Sequence, residues 1–162
     1  MVVGGTGMLA GVCRELAGRG SRLSVLARRP ADLGTEVTCY TCDYTDTESF
    51  EAAASDATRQ DGEPSLLITW IHATAPNGTD QIHSWTNPAR HIRVLGSASA
   101  NKPAPVQSEA GVEHVILGFV VGSAGSRWLT NKEICEGVMR AVDHPQPRTV
   151  VGVLEPWEKR PS

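Results

Sequence analysis

Residues 4–11 read GGTGMLAG and place four glycines within eight residues, directly after the apolar start Met1-Val2-Val3. Glycine is costly inside regular structure and useful where the backbone must bend sharply or approach another molecule closely. Apolar residues at helical spacing follow between Gly11 and Arg19, so the glycines lie between a short strand and a helix. The segment is therefore the candidate for a ligand-binding strand-to-helix turn.

The rest of the sequence alternates strand-like and helix-like segments. Strand-like runs occupy residues 23–27, 35–40, 65–71, 91–96, 113–121 and 149–154. Thr45 with Glu48, and Thr130 with Glu133, have the spacing of helix capping boxes. The alternation predicts an α/β protein, a doubly wound Rossmann-type three-layer sandwich with a mostly parallel sheet of about seven strands. Without an internal linker, residues 1–162 are expected to form one domain.

The glycines fit a dinucleotide-binding turn in two alignments. Gly5-x-Gly7-x-x-Ala10 matches the G-x-G-x-x-G/A fingerprint, and Gly4-x-x-Gly7-x-x-Ala10 gives a three-residue spacing. The first glycine permits the tight turn, the second leaves room for a diphosphate, and the small third residue lets helix and strand pack. Free N–H groups at the helix start attract phosphate. The predicted contacts are Gly4, Gly5, Thr6, Gly7, Met8 and Leu9, the alternative being a merely structural turn.

The end of the second strand indicates which dinucleotide is bound. An acidic residue there would hold the ribose 2′-hydroxyl of NAD, but the sequence has Arg28 and Arg29. Two guanidiniums suit a 2′-phosphate, so NADP is favoured over NAD, and the alternative is a solvated basic pair. Asp43, followed by Tyr44, ends the third strand and could accept a hydrogen bond from adenine. Asp43 could equally be a turn residue before the next helix.

Together these segments resemble the short-chain dehydrogenase/reductase superfamily over nearly the whole chain. GGTGMLA resembles its glycine motif, LARRP its NADP-type second strand, CDYTD its adenine-side segment and VLGSASA its fifth strand. WIHATAP stands where that family carries Asn-Asn-Ala-Gly, which implies that Trp70, His72 and Ala73 line the cofactor. The sequence is also similar to small bacterial proteins described as short-chain dehydrogenases, which share RWLT and EPWEKRP. The resemblance implies an NADP-dependent oxidoreductase built on one NAD(P)-binding Rossmann domain.

The chain departs from this family at the catalytic pair, Tyr-x-x-x-Lys, on the helix after the fifth strand. Its two tyrosines, Tyr40 and Tyr44, lie far upstream, and the corresponding segment reads NKPAP at 101–105. In the family the tyrosine gives a proton to the carbonyl oxygen while hydride reaches the carbon. Lys102 has no tyrosine at helical spacing and is assigned no role. The usual acid for alcohol and ketone chemistry is therefore missing.

Residues at the ends of two neighbouring strands are candidates to replace it. His72 follows the fourth strand, and an imidazole suits proton transfer at neutral pH. Ser97 and Ser99 follow the fifth strand and could polarise a carbonyl. The alternatives are a packed or cofactor-lining imidazole and small residues that permit close approach. The sequence thus predicts either an oxidoreductase acting on a small carbonyl or imine, or a non-catalytic NADP(H)-binding sensor or assembly module.

The composition indicates which kinds of partner the protein binds and in which compartment of the cell we expect it. A net charge of -3 with scattered basic residues argues against a nucleic-acid-binding face. The Cys39-x-x-Cys42 pair has no second pair at zinc spacing, so we predict reduced thiols and no metal site. No signal peptide and no run of about 18 apolar residues is visible, so we expect a cytoplasmic protein without a membrane span.

The two ends of the chain carry separate expectations. Strands average roughly 5–6 residues, yet only three residues precede the glycines, so the natural chain is expected to begin upstream of Met1. The ending EPWEKRP contains Trp157, which could close over the cofactor, pack internally or contribute to a homo-oligomer interface. We favour packing or an interface.

Overall fold

The computed structural model describes residues 1–99, 111–123 and 125–161 of the chain. The protein has a doubly wound, Rossmann-type α/β fold with a seven-stranded sheet in the order β3-β2-β1-β4-β5-β6-β9. The strands are β1 (Val2–Val3), β2 (Leu23–Ala27), β3 (Val37–Thr41), β4 (Leu67–Thr69), β5 (His91–Gly96), β6 (Val112–Leu117), β7 (Phe119–Gly122), β8 (Gly125–Trp128) and β9 (Arg148–Val151). The helices are α1 (Ala10–Gly18), α2 (Thr47–Asp61), α3 (Gly78–Thr86) and α4 (Asn131–Asp143).

The chain divides into two compact units, Met1–His91 and Ile92–Ser162. The first holds β1 to β4 with α1, α2 and α3, and the second holds β6 to β9 with α4. Whether residues 1–162 behave as one domain stays a prediction. Lys102 and the proline-rich segment 101–105 lie outside the described residues, as does the side chain of Ser99.

Side chains along the first two strands point alternately to the two faces of the sheet, and in the first unit helices cover both faces. Val2 pairs with Val25, and Val3 pairs with Leu26, in parallel register. A Cβ on Gly5 would meet Val2, Val25 and the α1 residue Cys13, so this face receives α1. Val3 and Leu26 belong instead to a buried cluster with the α2 and α3 residues Phe50 and Ile82. Neighbouring strand residues point to opposite faces, which gives the helix–sheet–helix layering.

The start of α2 corrects one sequence prediction. The helix is capped by Asp46, whose Oδ1 accepts hydrogen bonds from the backbone N–H groups of Glu48 and Ser49 at 3.1 and 3.4 Å. The predicted box with Thr45 as the cap is therefore wrong. The Thr45 hydroxyl instead donates to Asp43 at 2.7 Å, while the Asp46 carboxylate one position later reaches the helix N–H groups.

The other end of α2 is tied to the sheet by a carboxylate. Asp61 accepts hydrogen bonds from the hydroxyls of Ser24 at 2.7 Å and Tyr40 at 3.0 Å. Burial, followed by the bond to Asp61, raises the pKa of Tyr40 to about 12. Tyr40 is thus a protonated structural donor, which agrees with its exclusion from the catalytic candidates.

In the second unit, the predicted strand at 113–121 is divided into two. β6 pairs with β9 in parallel, whereas β7 turns away and pairs with β8 as an antiparallel hairpin. The break falls at Gly118, where an added Cβ would lie 2.1 Å from the Val153 carbonyl oxygen. Only glycine permits this close approach of two backbones. The prediction of one continuous strand is therefore wrong.

The predicted capping box at the start of α4 is confirmed. The Thr130 hydroxyl accepts from the Glu133 N–H at 3.2 Å, and the Glu133 carboxylate accepts from the Thr130 N–H at 2.8 Å. Arg127 on β8 donates two further hydrogen bonds to Glu133, at 2.8 and 2.9 Å. The box therefore also joins the hairpin to the helix.

The C-terminal segment packs within the second unit. Arg160 lies over the rings of Trp128 and Trp157, with its Cζ 5.0 and 4.8 Å from their centroids. Such stacking of a guanidinium on indole is a cation–π contact. Trp157 therefore takes part in internal packing, one of the roles expected for it.

Three other sequence predictions concern the cysteines, metal binding and membrane-spanning helices. Cys13, Cys39, Cys42 and Cys135 form no disulfide in the described part of the chain. Burial, then the neighbouring Asp43 carboxylate, raises the pKa of Cys42 to about 11. Within the described ranges, no three His, Cys, Asp or Glu residues gather as metal ligands, and no helix has the length and apolar character needed to cross a membrane.

Candidate functional site

A cavity of about 520 Å³ opens in the first unit at the carboxyl ends of β1, β2 and β4. Its lining residues are Gly4, Thr6, Gly7, Met8, Ala27, Arg28, Arg29, Tyr44, Trp70 and His72. The strand order reverses here, since β1 lies between β2 and β4 and the chain returns from β3 through α2 to β4. Ligands of open α/β sheets bind at such switch points.

Gly4 is the glycine that makes the tight turn. Its φ is +79°, and an added Cβ would lie 2.6 Å from the carbonyl oxygen of Trp70. Its N–H donates to the Leu26 carbonyl at 2.9 Å, which continues the pairing of β1 with β2. The turn therefore needs glycine at position 4 for the fold itself, and the alignment Gly4-x-x-Gly7-x-x-Ala10 is the one that matches the geometry.

Gly7 has a different environment. The residue is exposed, and an added Cβ would meet no atom within 4 Å. It faces the cavity just before α1, whose N-cap Leu9 provides no side-chain cap and whose first turn has no acidic residue. Uncapped N–H groups and a positive dipole end attract an anion. The protein's own packing gives no reason for glycine at position 7, whereas a closely approaching ligand does.

Of the four remaining residues predicted in this turn, two pack beneath it and two reach the cavity. Gly5 is buried, and its Cβ position lies 2.7 Å from the Cys13 sulfur, so this glycine lets α1 pack on the sheet. Leu9 is completely buried in the core. Thr6 and Met8 are half-buried and reach the cavity.

Charged and aromatic groups lie at the β2 and β3 side of the cavity. Arg28 and Arg29 are exposed and line the cavity together with Tyr44. Asp43 accepts from the N–H and hydroxyl of Thr45 at 2.9 and 2.7 Å. These bonds, with a smaller contribution from the Arg28 charge, lower the pKa of Asp43. Asp43 thus shapes the turn before α2 and lies close to the cavity arginines.

An aromatic pair forms the wall after β4. Trp70 and His72 both line the cavity, with ring centroids 5.2 Å apart in an edge-to-face arrangement. Trp70 is half-buried, His72 is exposed, and Ala73 follows on the exposed turn. Ser97 belongs to the second unit, where it begins the 3₁₀ helix Ser97–Ser99 with 3% of its surface exposed.

One lining residue was not foreseen. Ala27, the last residue of β2, lines the cavity where the strand meets Arg28. A small residue there keeps the approach to the glycine turn open. The available signal was position alone, since a small apolar residue at a strand end carries no chemistry of its own.

Solved structures of other proteins superpose on this chain. A short-chain dehydrogenase/reductase from Serratia marcescens superposes with a TM-score of 0.69 at 14% identity, covering 94% of each chain. An actinorhodin polyketide ketoreductase variant, solved with NADPH, gives 0.69 at 14% identity over 93% of this chain and 94% of its own. A short-chain dehydrogenase from Streptomyces avermitilis gives 0.68 at 12% identity over 93% and 87%.

The chain has the short-chain dehydrogenase/reductase fold. The superposition runs along more than nine-tenths of the chain in all three cases, so the short-chain dehydrogenase/reductase fold applies to both compact units. No protein-family model matches the sequence, and no curated protein matches it either. At identities this low, the agreement concerns backbone architecture.

Proposed function

We propose that the protein binds NADP(H) in the first-unit cavity and is an oxidoreductase of the short-chain dehydrogenase/reductase superfamily. The observation that carries the proposal is the open space at Gly7, in front of the uncapped start of α1. A diphosphate fits there because it needs both a missing Cβ and free N–H donors. A purely structural turn would account for Gly4 and Gly5 and would leave Gly7 unexplained.

The residues around this point fit the rest of a phosphorylated dinucleotide. Arg28 and Arg29 directly follow β2, where a ribose 2′-phosphate would lie, and each can form charge-assisted hydrogen bonds with it. Tyr44 offers a ring, and Asp43 a carboxylate oxygen, for the adenine side. Trp70, His72 and Ala73 would hold the nicotinamide half. The NADPH present in the superposed ketoreductase supports the same cofactor class.

The chain's own residues must supply the proton chemistry. When bound, NADPH supplies a hydride to the carbon of a small carbonyl or imine. His72, exposed at the cavity wall, would give the accompanying proton to the substrate oxygen or nitrogen. The role predicted for Ser97, polarising a carbonyl through its hydroxyl, stays a prediction from the sequence. A cytoplasmic setting for this activity, expected from the sequence, is part of the proposal.

Cofactor choice tests the proposal directly. Replacing both arginines, Arg28→Gln with Arg29→Gln, should weaken NADPH binding while leaving NADH binding nearly unchanged. Each charge-assisted hydrogen bond contributes about 1.5–3 kcal/mol, so the NADPH dissociation constant should rise at least about tenfold. Isothermal titration calorimetry measures both ligands.

The control is Arg59→Gln, which removes an exposed arginine on α2 that pairs with Asp56. It should bind both dinucleotides like the wild type. No binding heat for either dinucleotide with the wild-type protein would overturn the proposal. An equal loss of NADPH affinity in the control would show a general charge effect and remove the arginines from the site.

A second function, NADP(H) sensing without turnover, is favoured by one specific observation. The chain lacks Tyr-x-x-x-Lys, and Tyr40 is held as a donor to Asp61. A screen of carbonyl and imine substrates with NADPH separates the two functions. Turnover that falls about 10²–10⁴-fold in His72→Ala supports the enzyme, with Ser97→Ala tested alongside. Binding of NADPH without any turnover supports the sensor.

A further inference from the structure

Two histidines of the first unit share a hydrogen bond between their rings. The Nδ1 atom of His83, on α3, lies 2.9 Å from the Nδ1 atom of His91, the first residue of β5. The two rings are stacked, with centroids 5.1 Å apart and an angle of 24° between their planes. His91 is 1% exposed and His83 is half-buried. The pair therefore joins α3 to the sheet through a polar contact inside the protein.

The hydrogen bonding continues from His91 to the carboxyl end of β4. His91 Nε2 lies 3.0 Å from the hydroxyl oxygen of Thr69, a completely buried residue that ends β4. Thr69 directly precedes the cavity wall at Trp70 and His72, and the chain then enters α3. The imidazole pair thus contacts both elements between which the wall segment, residues 70–77, is held.

A hydrogen bond between two Nδ1 atoms requires that one ring donates and the other accepts. A neutral imidazole has one N–H and one acceptor nitrogen, whereas a protonated imidazole has two N–H groups and no acceptor. The bond can therefore exist when both rings are neutral or when one is protonated, and the Thr69 hydroxyl can donate or accept to suit either tautomer of His91. When both rings are protonated, two N–H groups face each other and two like charges meet, which breaks the bond.

Other ionisable residues occur on the elements around the pair. They are Asp80 on α3, Arg90 before β5, Arg93 on β5, and Glu113 and His114 on β6, the next strand in the sheet order. Asp80 is exposed, β4 has no ionisable residue, and α2 contributes apolar residues such as Phe50 to this part of the core. All of these groups stay unchanged in the variants described below, so they contribute equally to each pH profile.

We propose that His83 and His91 form a pH-sensitive latch that holds the cavity wall in place. With at most one proton on the pair, α3 stays joined to β5 and to the end of β4. As the pH falls below about 6.5, where imidazole ordinarily titrates, the opened state binds one proton more than the closed state and is favoured. That release of the wall weakens dinucleotide binding rests on the proposed function, whereas the latch itself does not.

Two measurements on the wild-type protein test the latch. Nitrogen-15 spectra should show a coupling between the two Nδ1 nuclei across the hydrogen bond at about pH 7.5, and the coupling should disappear toward about pH 5.5. Hydrogen exchange, corrected for its intrinsic pH dependence, follows the N–H groups of Ala75, Gly78 and Asn87, which donate to backbone carbonyls within residues 72–83. Their protection should fall about tenfold over the same range, because opening binds one extra proton.

His83→Asn is the variant that separates the latch from other effects of pH. An amide keeps a neutral donor and acceptor near the Nδ1 position and takes up no proton, so protection in this variant should not change over the range. His144→Asn is the matched control, since it removes an exposed histidine at the end of α4, and it should behave like the wild type.

Three results would overturn the proposal. They are an absent coupling at about pH 7.5, wild-type protection that does not change with pH, and an equal fall of protection in wild type and His83→Asn. The last result would assign the pH dependence to groups other than the pair. Every measurement is made without dinucleotide, so a failure of NADPH binding is a separate result that leaves the latch standing.

Discussion

Gly4 and Gly7 stand three positions apart in one turn, and the structure gives them opposite reasons for lacking a side chain. At Gly4 the backbone is left-handed and a Cβ would strike the Trp70 carbonyl oxygen. At Gly7 the backbone is ordinary and the space beyond is empty. The first glycine serves folding, and the second is the one that we propose leaves room for a ligand.

This difference makes Gly7→Ala an informative change. Where an alanine fits without strain, it stabilises a protein by about 0.4–1 kcal/mol through the unfolded state. The free energy of unfolding should therefore be unchanged or slightly higher. The added methyl group occupies the space proposed for the diphosphate, so NADPH affinity should fall at least about tenfold, or ~1.4 kcal/mol. Urea unfolding and calorimetric titration measure the two effects separately.

Two further glycines complete the comparison. Gly18→Ala makes the same chemical change at the far end of α1, where a Cβ again meets nothing, and it should leave binding intact. Gly4→Ala should destabilise the fold by at least about 1–2 kcal/mol, because a non-glycine residue is strained at this φ. Wild-type NADPH affinity in Gly7→Ala would refute the assignment of the turn to a diphosphate.

At this scale the sequence pointed to all the glycines of the turn but could not assign a separate role to each. Both Gly4 and Gly5 satisfied a fingerprint, because a pattern of letters contains neither φ nor the distance to Trp70. The role of Gly5 depends on Cys13 and Val25, which come close only after α1 packs on the sheet. Likewise, nothing in the letters around His83 indicated that its Nδ1 would lie 2.9 Å from the Nδ1 of His91, since α3 must first pack on the sheet.

Among the elements, α4 shows how one carboxylate can stabilise two pieces of backbone. Glu133 accepts from Arg127 on the hairpin and from Thr130 at the helix start. The Arg127 guanidinium, followed by the Thr130 bonds, lowers the pKa of Glu133 from its usual 4.5 to about 2. The stabilisation is therefore complete above pH 4.5 and is lost as the pH falls toward 2.

We expect Glu133→Gln to reproduce this loss at neutral pH. Glutamine can still cap the helix, but it removes the charge that pairs with Arg127. The free energy of unfolding should be lower than in the wild type at neutral pH, and the two proteins should converge as the pH falls toward about 2. Urea unfolding across this range provides the measurement.

Glu136→Gln is the matched control, because that carboxylate lies on the exposed side of α4, 3.9 Å from Lys132. Its effect should be smaller, since exposed ion pairs contribute little. A constant difference between wild type and Glu133→Gln at every pH would contradict the assignment of the pKa shift to the ionised carboxylate.

The sequence predicted a local feature of an element correctly where all the residues that form it lie close together in the chain. The Thr130 box needs only residues within one turn, and it was predicted correctly. The cap at Asp46 was missed because two adjacent residues could both serve, and backbone geometry decided between them. The break at Gly118 depends on Val153, 35 positions later, so an apolar run reads as one strand until its partner is known.

For the whole molecule, the open question is how the two compact units behave in unfolding. We expect residues 1–162 to unfold in a single calorimetric transition, as the single-domain prediction requires. Saturating NADPH at about 100 times its dissociation constant should raise the stability by about 2.7 kcal/mol. For a chain of this size the melting temperature should then rise by about 5–11 °C.

The competing outcome is distinct. Two transitions, of which NADPH shifts only one, would show that the units unfold independently and would refute the single domain. Addition of NADP-free buffer with matched salt is the blank.

The fold class itself followed from the alternation of strands and helices, because buried parallel strands require helical crossovers. The strand order, with β1 between β2 and β4, is a property of long-range pairing that alternation leaves open.

Trp70 contributes to two features of the first unit. Its carbonyl oxygen lies next to Gly4, where it leaves no room for a Cβ, and the residue also lines the cavity. The chain has four tryptophans, and Trp70 is the one among the residues that line the cavity. The protein consequently contains a built-in fluorophore at the place where a reduced nicotinamide would accept its excitation energy. Quenching of intrinsic emission would report occupancy without any label.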